Sequence, residues 1–190
     1  MLDWDTRFFG FPVAYLSCRY LSESVITQIN RFIGNNRVRL VEYLYNCHDD
    51  RSVKLAEQQD FHFTDIRLTF DIRLGKPFEV ADSKYFFGAA SESDVPQLQR
   101  LTRTMYKDSR YYYDGHFDLE KINGFYSNWI EKAVRGTFDD QCLCLFSENR
   151  PIGFCSVKFT TPGSASIGLF GMDPEFAGQG LGKALLFNVF

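Results

Sequence analysis

The stretch SIGLFGMDPEFAGQGLGKALL, Ser166 to Leu186, decides how the rest of the chain is read. It divides into an apolar strand (Ile167 to Met172), a turn at Asp173-Pro174, and a loop with glycines at 178, 180 and 182. A helix is predicted directly behind the last glycine. A glycine loop that runs into a helix N-terminus leaves several backbone N–H groups unpaired and aimed at one spot, with the positive end of the helix dipole behind them. Such an arrangement is a seat for a pyrophosphate. Lys183, next in line, could reach a phosphate or simply be a solvated first-turn lysine.

The residues before this loop lead into it in an ordered way. Cys142 to Phe146, Ile152 to Phe159 and Ile167 to Met172 read as three strands, with turns at Asn149-Arg150-Pro151 and Thr161-Pro162-Gly163, and so as an antiparallel meander. Upstream, a strand at Tyr85 to Ala89 is followed by a helix. Asp94 and Gln97 are spaced as a capping box, Pro96 falls in the first turn, and Val95, Leu98, Leu101 and Met105 line one face. A second helix starts at Asp118, carries Leu119, Ile122, Phe125, Trp129 and Ala133 on one face, and closes at Gly136. Between them, YKDSRYYYDGHF (106 to 117) has neither period and reads as a loop. It is either a surface loop tied down by its tyrosines or an acceptor-binding loop whose aromatic faces and cation, Arg110 and Tyr112 among them, suit a sugar diphosphate.

At these residues the sequence resembles the GNAT N-acetyltransferases, whose acetyl-CoA signature is Arg/Gln-x-x-Gly-x-Gly/Ala after a strand and a proline turn. Gly180, Leu181 and Gly182 match its end, Gly178 and Gln179 its middle, and Asp173-Pro174 its lead-in. Ala177 stands where the family usually has Arg or Gln, which removes one polar anchor. Phe125 to Leu145 (FYSNWIEKAVRGTFDDQCLCL) and the opening DWDTRFFGFPV resemble a narrower group that acetylates the 4-amino group of dTDP-4-amino-4,6-dideoxygalactose (dTDP-fucosamine). The implied fold is α/β, a GNAT core over 84–190 preceded by a small α/β lobe over 1–80. The order of elements agrees with the motif. The family continues with further strands, whereas this chain stops at Phe190 within a helix, so it reads as C-terminally short. The tyrosine that normally acts as general acid late in the fold is then expected beyond residue 190.

The N-terminal lobe follows from residues 12 to 80. Val13 to Cys18 is strand-like. Ser22 or Ser24 can cap a helix with Val25, Ile29, Phe32 and Ile33 at helical spacing, ending at Gly34-Asn35-Asn36. Leu40 to Asn46 reads as a second strand and Asp50 to Gln59 as a short helix. Phe61 to Ile72 (FHFTDIRLTFDI) alternates with period two and is predicted as a third strand of a small, largely parallel sheet. The polar, turn-rich run from Gly75 to Lys84 is the expected boundary between lobes.

Composition narrows the function classes. With 190 residues and 45% hydrophobic content the chain can bury a substantial core. A net charge of −3 gives no basic footprint for nucleic acid. No apolar run reaches the roughly 18 residues that span a bilayer, and the N-terminus carries acids where a signal peptide would be apolar. A cytoplasmic protein without a membrane partner is expected; its oligomeric state stays open, a homodimer among the options. The five cysteines have no CxxC spacing and the three histidines no HExxH pattern, so no metal is expected. Cys142 and Cys144 share a strand face as small apolar residues and receive no role.

Direct transfer to an amine needs a base for the amine, a donor for the developing oxyanion and a proton for the departing thiolate, with no enzyme nucleophile. The resemblance implies that Leu169, Phe170, Gly171 and Met172 hold pantetheine through backbone groups, and that the family's co-substrate is acetyl-CoA. Asp65 is the candidate base: alternation along 61–72 places it with Phe61, Phe63 and Arg67, where aromatic neighbours could raise its pKa. An Asp65–Arg67 surface pair is the competing reading; Arg67 is otherwise a candidate substrate contact. Asp139 and Asp140 are further base candidates, though a turn before a strand explains them. The resemblance implies transfer from acetyl-CoA to a nucleotide-sugar amine for surface polysaccharide precursors. Another amine substrate, or a truncated CoA-binding protein without turnover, are the alternatives.

Overall fold

A computed structural model describes residues 1–73 and 84–189. The chain divides into two compact units, Met1–Thr64 and Asp65–Phe190. The stretch expected as the lobe boundary, Gly75 to Lys84, lies outside the described residues except at Lys84.

The first unit opens with a helix that the sequence reading did not anticipate, α1 (Asp3–Phe9), with Asp3 and Asp5 in its first turn and Gly10 closing it in the left-handed region. Strand β1 (Val13–Leu16) pairs in parallel with β2 (Leu40–Tyr43), Val13 opposite Leu40 and Leu16 opposite Tyr43. Between them runs α2 (Glu23–Asn36), whose N-cap Ser22 accepts from the Val25 N–H. Helix α3 (Asp50–Glu57) is capped by Asp49 and places Ser52 and Ala56 in the interior. There Ser52 Oγ accepts from the Leu21 N–H at 2.7 Å.

The third strand predicted over Phe61 to Ile72 is not formed, and among the described residues the parallel sheet has two strands. Alternation marks a strand only where one face is covered and a neighbour takes the ladder hydrogen bonds. Here neither holds: Phe63, Ile66, Leu68 and Phe70 are all exposed, and residues 61–73 have no regular structure.

The second unit contains the antiparallel meander. Strands β3 (Phe86–Ala89), β4 (Gln141–Ser147), β5 (Arg150–Thr161) and β6 (Ser164–Met172) follow one another in spatial order. Glu148 and Asn149, both with positive φ, make the β4–β5 hairpin turn. Helices α4 (Val95–Thr102) and α6 (Leu119–Val134) pack together, burying Leu98 and Ile130 completely. Each such side chain contributes about 1.5–3 kcal/mol through removal from water. The capping box lies three residues earlier than the sequence suggested: Ser91 and Asp94 bond reciprocally on a 3-10 turn (Glu92–Asp94), and Pro96 does fall in the first turn of α4. Asp118 caps α6 as expected, accepting from the Lys121 N–H at 3.0 Å.

Residues 106–117 are more ordered than predicted. They contain a short helix, α5 (Arg110–Asp114), closed by Gly115 in the left-handed region. Five residues are too few for a periodic signal to appear in the sequence. On the opposite side of the sheet, α7 (Leu181–Val189) lays Leu181 and Leu185 into a cluster with Leu145, Ile152, Cys155 and Val157.

Cys142, Cys144 and Cys155 are buried strand residues, whereas Cys47 is exposed. Burial, with Cys142 and Asp139 nearby, pushes the Cys155 thiol up to about 12. Because the thiolate is the reactive form, iodoacetamide should modify Cys47 in the folded protein and leave these three strand thiols intact until denaturation. Peptide mass spectrometry checks this; early loss of Cys155 in native protein would contradict the packing.

Candidate functional site

The site is built on the end of β6 and the turn that follows it. Asp173, 5% exposed, holds that turn from three directions. Its N–H donates to the Ile152 carbonyl at 2.7 Å, its Oδ1 accepts from the Glu175 N–H at 3.1 Å, and its Oδ2 accepts from Arg150 Nη2 at 3.0 Å. Arg150 also reaches Glu175 at 3.3 Å and lies 5.8 Å from the centre of the Phe176 ring. The 3-10 turn Pro174–Phe176 is thereby pinned to the start of β5. Ala177 extends the chain away from it, its N–H donating to the Pro174 carbonyl at 3.1 Å.

Gly178 and Gly180 have φ of +76° and +75°, and a Cβ on either would meet no atom within 4 Å. The backbone there needs glycine for its conformation, and beside it is open space of the kind a ligand approaching the main chain requires. Gly182 is placed differently. Its Cα faces Met172 and Phe170, with a Cβ coming 3.5 Å from Met172 Cγ, so this glycine lays the first turn of α7 against β6. The Ala184 N–H donates to the Gly180 carbonyl at 3.1 Å, closing that first turn. The amides of Leu181, Gly182 and Lys183 precede the first residue able to find an intrahelical acceptor. Lys183 is exposed, with its ammonium 5.3 Å from the Phe187 ring centre. Thus the predicted sequence Ala177, Gly178, Gln179, Gly180, Leu181, Gly182, Lys183 forms one continuous loop and helix start.

Among the described residues β6 is an edge of its sheet, and its pairing with β5 is irregular. Cys155 pairs with Phe170 but Val157 pairs with Ile167, so Gly168 and Leu169 together oppose Ser156. This two-against-one step is a β-bulge. Past the bulge, the Phe170 carbonyl accepts from Tyr106 Oη at 3.1 Å, which turns Phe170 toward the free edge rather than toward β5. By alternation Met172 faces the same way, while Gly171 faces β5 and has Met105 and Phe154 where a Cβ would go.

Three polar side chains inside the bulge were not singled out as a group by the sequence. Asp139 Oδ2 accepts from Trp129 Nε1 at 2.8 Å and from Ser156 Oγ, and Ser156 Oγ in turn accepts from the Leu169 N–H at 2.7 Å. Asp139 is 2% exposed and Ser156 is fully buried. Asp140 accepts from the Phe159 N–H at 2.7 Å. Both acids thus make structural bonds at the start of a strand, as the turn reading expects.

The candidate acceptor side lies at α5 and α6. Tyr106 stacks on Tyr126, ring centres 4.6 Å apart. Burial raises the pKa of Tyr106 well above the ordinary tyrosine value, with Tyr126 adding to it, so its hydroxyl stays protonated at neutral pH. Tyr111 is a core residue packed on Phe117 and Phe125. Arg110 lies 4.5 Å from the Tyr111 ring centre and donates to its hydroxyl at 3.0 Å. Tyr112 donates to Asn123 Oδ1, and its own pKa is raised, by burial first and Glu120 second. Asp65 and Arg67 are exposed on the segment without regular structure, so the aromatic strand face expected around Asp65 is absent. The pKa of Tyr126 is raised by burial above all, with Ser109 and Arg110 opposing and Tyr112 and, least, Asp65 adding. Among the described residues no group of His, Cys, Asp and Glu is arranged to hold a metal ion, and no helix is long and apolar enough to cross a membrane.

Comparison with known proteins bears on this geometry. A model described as the Acetyltransferase (GNAT) family matches residues 99–189, the span from α4 through the glycine loop to α7. The chain is 31% identical over 188 residues to a dTDP-fucosamine acetyltransferase of Escherichia coli O6:H1 (strain CFT073), covering 97% of this chain and 75% of that protein. Among solved structures, the PaiA N-acetyltransferase of Thermoplasma acidophilum in complex with coenzyme A is 19% identical, over 55% of this chain and 69% of that one, with a TM-score of 0.43. A GNAT-family acetyltransferase of Bacillus cereus is 16% identical over 54% and 59% respectively, with a TM-score of 0.38.

Proposed function

The chain belongs to the GNAT acetyltransferase family and is an acetyl-CoA-dependent N-acetyltransferase, and from that premise we propose that its acceptor is the 4-amino group of a dTDP-4-amino-4,6-dideoxyhexose of the dTDP-fucosamine type. The observation that carries the choice of acceptor is the relationship to the Escherichia coli protein over nearly the whole of this chain, beyond the span matched by the family model. The reaction would serve the synthesis of surface polysaccharide precursors.

The amides of residues 178 to 183 hold the pyrophosphate of acetyl-CoA, and the outward backbone groups of Phe170 and Met172 take the pantetheine as an added strand would be taken, while Leu169 and Gly171 keep the strand in register. The neutral amine attacks the thioester carbonyl, a backbone N–H of β6 meets the developing oxyanion, and as the tetrahedral intermediate collapses the C–S bond breaks and the CoA thiolate takes up the proton that the new amide nitrogen gives up. Asp65 removes the proton of the bound ammonium. Arg110, Tyr112 and Arg67 contact the diphosphate and sugar. The first unit is the N-terminal lobe and the second carries the acetyltransferase core.

Thiol release measured with acetyl-CoA and dTDP-4-amino-4,6-dideoxygalactose tests the reading directly. Turnover with this amine and little with spermidine or a peptide N-terminus is expected; the reverse preference would overturn the proposed acceptor. Arg110→Ala should raise the KM for the sugar nucleotide about tenfold while leaving that for acetyl-CoA nearly unchanged. Equal losses for both substrates would assign Arg110 to the packing of Tyr111 instead.

A further inference from the structure

A buried carboxylate is costly unless its acceptors are filled, and Asp139 fills one oxygen with two donors from different elements, Trp129 of α6 and Ser156 of β5. The polar chain does not end there. Ser156 spends its hydrogen on Asp139 and its lone pair on the Leu169 N–H, the amide that the bulge withdraws from the regular ladder. The fit is close: a Cβ on Gly168 would lie 2.4 Å from Asp139 Oδ2 and 2.8 Å from Ser156 Oγ, so only a glycine can pass between them.

The bulge decides which backbone groups the edge strand presents. With one extra residue opposite Ser156, Phe170 and Met172 turn outward, as the Tyr106 bond to the Phe170 carbonyl marks. A straight register from the Val157–Ile167 pair would instead turn Leu169 and Gly171 outward and bring Phe170 and Met172 against β5. It would also send every side chain beyond the step to the opposite face.

We infer that Asp139, acting through Ser156, is a positioning residue for acetyl transfer: the pair locks the Gly168–Leu169 bulge and so holds the outward N–H of β6 against the thioester carbonyl. Neither side chain touches substrate. The inference rests on the reading of β6 as the acetyl-CoA strand, and its test separates the two.

The probe is acetyl-CoA labelled with 13C at the thioester carbonyl, followed by infrared difference spectroscopy, with CoA affinity measured separately by calorimetry. In the wild type the carbonyl band should move to lower wavenumber on binding, the mark of a hydrogen bond to the oxygen. Ser156→Ala should abolish most of that shift and lower kcat about tenfold or more, with CoA affinity changed by less than about threefold. Ser156→Thr, which keeps the hydroxyl, should recover most of the shift. If Ser156→Ala does not fold, Asp139→Asn carries the same measurement, with a smaller loss in the same direction because one acceptor oxygen remains. Parallel loss of CoA affinity and band shift would overturn the inference in favour of a purely structural role, as would an unchanged band in the variants. CoA binding with no band shift in the wild type would overturn it while leaving the cofactor site standing; absence of CoA binding would overturn the site itself.

Discussion

Gly180→Val is expected to weaken CoA binding by at least about 1.4 kcal/mol, a factor of ten. Two effects act in the same direction. The valine places a branched side chain in the open space beside the main chain, where a pyrophosphate must come close to the amides. It also forces a β-branched residue into the left-handed region, φ +75°, which costs of order 1–3 kcal/mol where the structure holds it there. The second effect would let the loop relax and mis-aim the amides even if the first were small. Gly182→Ala is the informative contrast. Gly182 has no positive φ, and its Cβ would make ordinary contact with Met172 and Phe170 at 3.5 and 3.9 Å, so a small loss is expected there. Calorimetry with CoA on both variants, beside thermal melts to exclude unfolding, gives the comparison. Wild-type affinity in Gly180→Val would remove the proposed phosphate seat.

The contrast between these glycines also shows where sequence reading is strong. The turn, loop and helix start at 173–183 are encoded by neighbours in the chain: Pro174 fixes the turn, Gly178 and Gly180 supply positive φ, and Leu181 and Leu185 anchor the helix. Every one of those signals acts within a few residues, so the motif was legible. The same holds for the meander, whose turns at Glu148-Asn149 and Gly163 punctuate three apolar strands.

What the sequence did not disclose depends on residues brought together over distance. Asp139 was legible as a turn residue, but its partners Trp129 and Ser156 lie 10 and 17 positions away and meet only once α6 packs on the sheet. The bulge itself has a signal in Gly168, although a glycine in a strand is equally consistent with close approach of a ligand. Arg150 looked like part of a turn and proved to be the clamp on Asp173. The opposite error occurred at 61–72. A clean period of two predicted a strand, yet periodicity reports which side chains could share a face and says nothing of whether a neighbouring strand is there to pair. The exposed Phe63, Ile66, Leu68 and Phe70 are the result.

Asp65→Asn carries the largest expected effect, roughly a hundredfold or more in turnover at neutral pH, if Asp65 takes the proton from the acceptor ammonium. The aromatic strand face expected around Asp65 is not formed and its carboxylate is exposed, with only a minor electrostatic influence on Tyr126, which stacks on Tyr106. A carboxylate there can accept a proton directly or through one water. Asparagine preserves shape and one acceptor oxygen but cannot take the proton. The defect should therefore depend on how much of the amine arrives already neutral. At low pH nearly all of it is ammonium and the variant is slowest relative to the wild type; as pH rises through the amine's own pKa, the free base forms in solution and the gap closes. A pH series of kcat/KM for both proteins measures the gap. A loss of equal size at every pH would assign Asp65 to positioning of the acceptor, and no loss at any pH would leave it a solvent-exposed residue with the base still to be found among the other residues near Tyr126.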